Sequence, residues 1–446
     1  MRKITEQNLY TVLLALVILT LVVAANAYAE GPEWPELLGA QYTLIAQHLF
    51  PFHAAYSGDK SLTNVGDTEE TQTFGIYTGM KVWDHLQAYF DVEMFKGEGI
   101  SNSTGLGGLT NGDEIRAGSF NLGTGPYISR AYFRYQWPLG EEMVEVPRGM
   151  DQLPGLEPTT RIEVKVGRFA ANDDFDRNRY ANSTRTQFEN WSLWNNTAWD
   201  FAADTRGYTE GIMAGYVSPR WALRLGVFQM PTVANGPDLD SLLDSRGENI
   251  ELTLQPNNYA TVIRILTYRN VANMGIYNDA IALGRAQGTV PNISADDQPG
   301  RVKYGFGLNV EQPLADGGET GLFARLGWND GATETFAFTE VDRTVTFGAQ
   351  LAGNHWGRDE DRLGVGFVVN GLSPEHRNYL AAGGSGFDLG DGALNYGYEK
   401  IVEVYYRIRV DKYVQISPDV QYIENPGYNR DRGPATVVGV RLHLEY

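Results

Sequence analysis

The last twelve residues constrain this chain more than any other stretch. From Ala435 to Tyr446 they read A-T-V-V-G-V-R-L-H-L-E-Y. Thr436, Val438, Val440, Leu442, Leu444 and Tyr446 share one parity, while Gly439, Arg441, His443 and Glu445 share the other. Successive side chains of a strand point to opposite faces, so one face here is apolar and the other charged. A soluble sheet would turn the apolar face to a core. A strand closing on an aromatic fits the reverse arrangement, a transmembrane barrel with apolar residues facing lipid, polar residues facing the lumen and aromatics at the rim.

The N-terminal sequence agrees with export. Arg2 and Lys3 precede an apolar run from Val12 to Ala25, and A-N-A and A-Y-A follow at 25–29. A charged region, an apolar region and small-residue cleavage sites identify residues 1–29 as a signal peptide. The other reading is an uncleaved anchor, because the run approaches the length that spans a bilayer. The chain has no second long apolar run. Helical spans need about 20 apolar residues each. A closed barrel is the remaining way to satisfy backbone groups in lipid. It also accounts for a negative mean hydropathy alongside 51 Gly and 25 Tyr, since half of each strand faces water.

Composition removes several function classes. The chain has no cysteine, so disulfides, thiolate metal sites and cysteine catalysis are all absent. The formal charge of −19 becomes −20 once Arg2, Lys3 and Glu6 leave with the leader. Such acidity argues against a nucleic-acid partner, which requires basic patches. The histidines His48, His53, His85, His355, His376 and His443 show no H-E-x-x-H spacing, and P-loop, G-x-G-x-x-G and G-x-S-x-G patterns are missing. No catalytic residues, resident metal or cofactor are expected.

Gly, Pro, Asn and Asp clusters divide residues 30–446, read as one domain, into sixteen predicted strands. They are 40–49, 72–82, 85–95, 127–137, 160–168, 207–217, 220–229, 249–255, 259–269, 301–311, 319–329, 343–352, 362–370, 398–410, 412–422 and 435–446. The fold class is an all-β transmembrane antiparallel up-and-down barrel. Alternation is clearest where Val302, Tyr304, Phe306, Leu308 and Val310 interleave with Arg301, Lys303, Gly305, Gly307 and Asn309. Connections after even strands are mostly short, among them Trp83-Asp84, Ser218-Pro219, 256–258, 313–318 and Asp411; those after odd strands are mostly long. Short periplasmic turns and long outer loops are the asymmetry of outer-membrane barrels. Residues 138–159 break it, forming a long connection on the periplasmic side, and a miscounted strand nearby is one explanation.

The segment 167–211 stands out as the third outer loop. It combines Asp173, Asp174, Asp176, Arg177, Arg179, Arg185, Asp204 and Arg206 with Trp191, Trp194 and Trp199. Folding 169–206 inward would bury the rings and ring a constriction with charge, the means by which pores select. Indoles beside Asp, Asn and Arg also suit sugars, whose apolar ring face stacks while hydroxyls hydrogen-bond. The plainer reading is a structural loop with paired charges. On the wall, Arg130, Arg134, Arg224, Arg264, Arg325, Arg407 and Arg409 take lumen parity, as do Asp91, Glu93, Glu163 and Glu403. Arg441, His443 and Glu445 are expected near the pore exit. These groups either stiffen the barrel as ion pairs or orient polar solutes.

Four segments carry a family likeness: Tyr56-Ser57-Gly58 with Ser61-Leu62; Gly167 to Gly211, with R-F-A-A-N-D-D-F-D-x-N-R-Y and A-W-D-F-A-A-D-T-R-G-Y; N-H-W-G-R-D-E-D-R-L-G-V-G-F at 354–367; and S-P-D-V-Q-Y-I-E-N-P-G at 417–427. With these the chain resembles the carbohydrate-selective porin family of the OprB type. The resemblance implies a sixteen-stranded barrel in the outer membrane of a Gram-negative bacterium, passive diffusion of small saccharides and little or no energy coupling. It leaves the solute open, since similar members are proposed to pass other small solutes, including manganese. Asn354 to Asp361 falls on the periplasmic side and is read as a structural turn. Tyr446 looks like the terminal aromatic that hands a barrel to the outer-membrane assembly machinery. Partners implied are sugars as solutes, lipid and that machinery, with the protein a monomer or a homotrimer. A divalent-cation route through 173–176 and 204, and a barrel enzyme, are the competing readings.

Overall fold

A computed structural model describes residues 36–114, 122–256 and 260–446. The expected leader at 1–29 and most of the 256–258 turn lie outside the described residues. Sixteen antiparallel strands close into one barrel. They are β1 (Leu37–Leu49), β2 (Asp67–Trp83), β3 (Leu86–Gly97), β4 (Tyr127–Pro138), β5 (Arg161–Phe169), β6 (Thr209–Val217), β7 (Trp221–Gln229) and β8 (Arg246–Leu254). The circuit continues through β9 (Val262–Met274), β10 (Gln298–Ala315), β11 (Thr320–Asn329), β12 (Arg343–Ala352), β13 (Arg362–Gly371), β14 (Glu399–Arg409), β15 (Val414–Glu424) and β16 (Ala435–Glu445). Closure is made by β1 against β16, with Gln41 opposite Glu445 and Leu49 opposite Val437. All sixteen predicted strands are present, and several, such as β2 and β10, run further than the alternation alone indicated.

The faces are inverted relative to a soluble sheet. On β3, Phe90 is 47% exposed and Asp91 only 3%. Phe133 on β4, Tyr304 and Phe306 on β10 and Val440 on β16 likewise face outward, while Glu163, Arg325 and Arg441 are buried inside. Trp83, Trp137, Trp221 and Trp356 stand exposed at the short-turn end, where indoles suit a membrane–water interface. Among the described residues no helix is long and apolar enough to cross a membrane; strands do the crossing.

Turn chemistry sets the two ends apart. The β10–β11 turn needs left-handed backbone at Gly317 (φ 64) and Gly318 (φ 94), which residues lacking Cβ adopt without strain. Outer connections are long enough to carry helices of their own, Tyr277–Gln287 and Pro374–Ala381. These pack through Tyr277, Ile281, Tyr379 and Leu380.

The long periplasmic connection conceals no missed barrel strand. Pro138 pairs directly with Arg161, so β4 and β5 are already neighbours and 139–160 is an insertion between them. Its ends form a separate two-stranded ribbon, Met143–Val146 against Gly155–Pro158. The intervening turn folds back toward the lumen, where Leu153 packs with Leu37, Tyr77, Tyr89 and Tyr132.

Candidate functional site

The third outer connection, between β5 and β6, is fastened to inward-facing side chains around most of the wall. Asp173 takes two hydrogen bonds from Arg130 on β4, at 2.8 and 2.9 Å. Asp174 pairs with Lys165 on β5 at 3.0 Å. Asp176 pairs with Arg325 on β11 at 2.9 Å. Tyr180 donates to the Gly318 carbonyl at 2.8 Å, and Arg179 meets Glu319 at 3.2 Å. Both partners lie at the periplasmic turn between β10 and β11, so the segment reaches the far end of the barrel. On its return, Arg185 pairs with Glu93 and Asp113, and Glu403 on β14 accepts the backbone N–H groups of Glu189 and Asn190. Asn190 caps the short turn Trp191–Trp194.

Irregular backbone buried in this way must find partners for its carbonyls. Arg325 supplies three, donating to Leu193, Asp176 and Ala181. Arg441 donates to Thr184 and Gln187 at 2.6 and 2.8 Å. Arg441, expected near the pore exit, is thus buried beneath the loop; its neighbour His443 contacts Thr43 and Glu445.

A cavity of about 660 Å³ remains beside β3, β4, β5 and β7. Of the sequence-derived candidates, Asp173, Asp174, Arg177, Arg185, Trp191, Trp194, Arg206, Arg130, Arg134 and Arg224 line it. The others are engaged elsewhere. Asp176 faces Arg325, and Trp199 donates to Asn249 at 3.0 Å within an aromatic cluster with Phe175 and Phe201. Asp204 pairs with Arg168 and with the Tyr127 hydroxyl. Arg179 reaches the periplasmic turn, Arg264 pairs with Glu311 at 3.1 Å, and Glu403 caps loop backbone. Arg407 is half-buried among Arg362, Arg441 and Arg409, and Arg409 donates to the Asp411 and Lys412 carbonyls of its own turn.

The cavity has two chemically distinct sides. One is aromatic: Trp191 and Trp194 approach at 4.6 Å between centroids, and Trp191 stacks on Phe338 at 4.6 Å. The other is a ladder of alternating charge. Arg134 bridges Glu157 (2.7 Å) and Glu163 (3.3 Å), and Glu163 also meets Arg161 (3.1 Å) and Arg224 (3.3 Å). Burial would push the Asp173 carboxyl up, but the Arg130 guanidinium beside it holds it well below the usual carboxylate range. Glu157 is likewise desolvated, and Arg134 keeps its carboxyl below its ordinary value. Both stay ionised at neutral pH. Aromatic rings and fixed donors and acceptors lining one cavity can hold a flat, polyhydroxylated solute without neutralising the charges.

Sequence reasoning missed Asp151, Gln152 and Glu157 of the inserted connection, which also line the cavity. Their signal was the one broken parity of loop lengths. Tyr132 and Lys165, with the ammonium 4.2 Å from the ring centroid, were missed as well. Both stand on strands at lumen parity, two residues from the named Arg130, Arg134 and Glu163, and that parity was the available signal.

Comparison with known proteins gives a consistent picture. A protein of Acinetobacter baylyi named "Putative porin QuiX" is 24% identical over 308 residues, covering 64% of this chain and 66% of that relative, just under two thirds of its length. The high-pH structure of Pseudomonas putida OprB superposes with a TM-score of 0.69 at 17% identity, covering 92% of this chain and 94% of that one. The outer-membrane channel DcaP of Acinetobacter baumannii superposes at 0.50 with 9% identity over 92% and 96%. At such identities the superpositions establish the fold alone. Residues 59–446 match the family described as "Carbohydrate-selective porin, OprB family", and the chain belongs to that family.

Proposed function

We propose that the protein is an outer-membrane channel for passive diffusion of small saccharides into the periplasm. The observation that carries this reading is a single cavity whose lining includes both the edges of Trp191 and Trp194 and the Arg134–Glu163–Arg224 ladder. A pyranose stacks on the indoles while its hydroxyls exchange water for guanidinium and carboxylate partners. Each contact is weak and replaceable, which conduction requires. Export with loss of residues 1–29 and insertion directed by Tyr446 complete the proposal.

The divalent-cation alternative has less support. The carboxylates of 173–176 are taken up by wall cations in separate places: Asp173 by Arg130, with Lys165 at 3.9 Å, Asp174 by Lys165, and Asp176 by Arg325 on β11. They therefore do not converge on one point, as oxygen ligands to an ion must.

The test is current through a planar bilayer. Hexoses and short oligosaccharides should block the ionic current in a concentration-dependent way, and Trp191→Ala with Trp194→Ala should weaken the block. A sugar-insensitive current with strong cation preference would reject the proposal.

A further inference from the structure

The inserted connection 139–160 is not needed to close the barrel, because Pro138 and Arg161 already pair. Its two halves sit in opposite environments. In the ribbon, Val144 is exposed and Leu156 is 67% exposed. The turn is partly buried, with Leu153 covered, 149–152 half-buried and Arg148 exposed, and it is fastened by named bonds. Gly149 and Gln152 exchange backbone hydrogen bonds, at 3.1 and 3.4 Å. Arg148 donates to the carbonyls of Leu38 (2.8 Å) and Tyr446 (3.3 Å), tying the turn to the barrel seam. The Leu153 N–H donates to the Tyr89 hydroxyl at 3.2 Å. A tether lying in the periplasm would have no reason to bury Leu153 against lumen-facing rings.

Met150, Asp151 and Gln152, at the tip, line the cavity opposite the third outer loop. Gln152 donates to Glu157 at 3.2 Å, and Glu157 belongs to the charge ladder through Arg134. Most telling is Arg130. Its guanidinium holds Asp173 of the outer loop and also meets Asp151 of the inserted turn at 3.3 Å. One wall residue therefore joins the two segments that enter the lumen from opposite ends.

We propose that the turn Arg148–Leu153 is a second selectivity element, a constriction on the periplasmic side whose Met150, Asp151 and Gln152 a polar solute passes after the outer loop. This rests on the channel reading and is independent of which solute permeates. Asp151 contributes a carboxyl group held beside Arg130, and Met150 with Gln152 contributes bulk.

Two variants of the full chain test it in planar bilayers and liposomes. The first replaces Met143–Pro158 with an Asn-Gly turn, a sequence suited to a two-residue hairpin. Removing the constriction should raise single-channel conductance in potassium chloride at least about twofold and admit larger sugars in liposome swelling. The second, Asp151→Asn, keeps shape and removes one charge, so it serves even if the deletion fails to assemble. Its reversal potential under a salt gradient should move toward anion preference. Unchanged conductance and size cut-off in the deletion, or an unmoved reversal potential in Asp151→Asn, would overturn the proposal. Sugar block of the unmodified channel is read separately. Its absence, with a conductance rise in the deletion, defeats the saccharide reading and leaves this one standing; block without any variant effect does the reverse.

Discussion

The arginines on two arcs of this wall arise from the same strand alternation and end in different environments. On the far arc, the Arg325 and Arg441 side chains are 0% and 1% exposed, each bound to backbone carbonyls of the third outer loop. On the near arc, the Arg134 and Arg224 side chains are 16% and 20% exposed, in direct ion pairs with Glu157 and Glu163 at the edge of the cavity. What stands opposite makes the difference. The loop presents carbonyls that irregular backbone cannot satisfy by itself, and a guanidinium with five donors answers several at once. Where the loop is absent, the same side chain meets carboxylates and keeps part of its hydrogen-bonding capacity for solute. Strand parity decides that an arginine points inward; the course of the loop decides whether it is a clamp or a lining.

The sharpest break in this comparison is Arg325→Ala. It leaves the buried Asp176 carboxylate with the hydrogen bonds of Asn309 and Asn196 but no countercharge, and strips the Leu193 and Ala181 carbonyls of their donor. Removing one partner of a buried ion pair costs about 3–5 kcal/mol. The variant should therefore unfold at distinctly lower temperature in detergent, with noisier and larger conductance as the loop loosens. A Tm equal to that of the unmodified protein would mean that the far arc is no clamp.

Arg134→Gln and Arg224→Gln should behave the other way. Glu163 keeps Arg161 in either variant, so folding changes little. The ladder loses one positive charge, and the current should shift toward cation preference. Reversal potentials read the shift directly, and a large fall in Tm with unchanged selectivity would erase the distinction between the arcs.

A smaller effect is expected from pH. Burial, reinforced by the charge of Asp419, pushes the Glu189 carboxyl in the loop up to about 8. Its ordinary value is near 4.5. Because the folded value is raised, the stability linked to this group is complete below about 4.5. It declines as pH rises through the window and is lost above about 8. Tm measured from pH 4 to 9 should fall across that range, and Glu189→Gln should flatten this part of the profile. An identical slope in the variant would place the titration elsewhere.

The sequence made the barrel legible because alternation and loop parity are local signals repeated sixteen times. Val302 to Val310 and Phe90 against Asp91 each declare their face without knowledge of the partner strand. The site was legible in part. Charge and indole in 167–211 marked the right segment, but Trp191 and Trp199, eight residues apart, cannot be told apart by composition. Trp191 reaches the cavity, whereas Trp199 turns its N–H to Asn249 on β8. That outcome depends on the path of a segment without regular period, set by partners on many strands. The inserted turn was harder still. Its 22 residues from 139 to 160 carry no repeat, and Asp151 acquires a role only where Arg130 meets it.

Arg409 supplies the gentlest test of the same comparison. Its parity is that of Arg407 and Glu403, so alternation alone assigns it to the lumen wall. In the folded chain it lies at the last residue of β14 and donates to Asp411 and Lys412, closing the periplasmic turn to β15. It lines a separate cleft of about 240 Å³ with Arg148, Tyr413 and Tyr446, away from the charge ladder. A solvent-facing side chain that caps its own turn contributes about 1 kcal/mol or less. Arg409→Ala should therefore lower Tm only slightly and leave conductance and reversal potential as they are. A selectivity change as large as that of Arg134→Gln would show that inward parity by itself, and not the neighbour across the lumen, makes an arginine part of the channel.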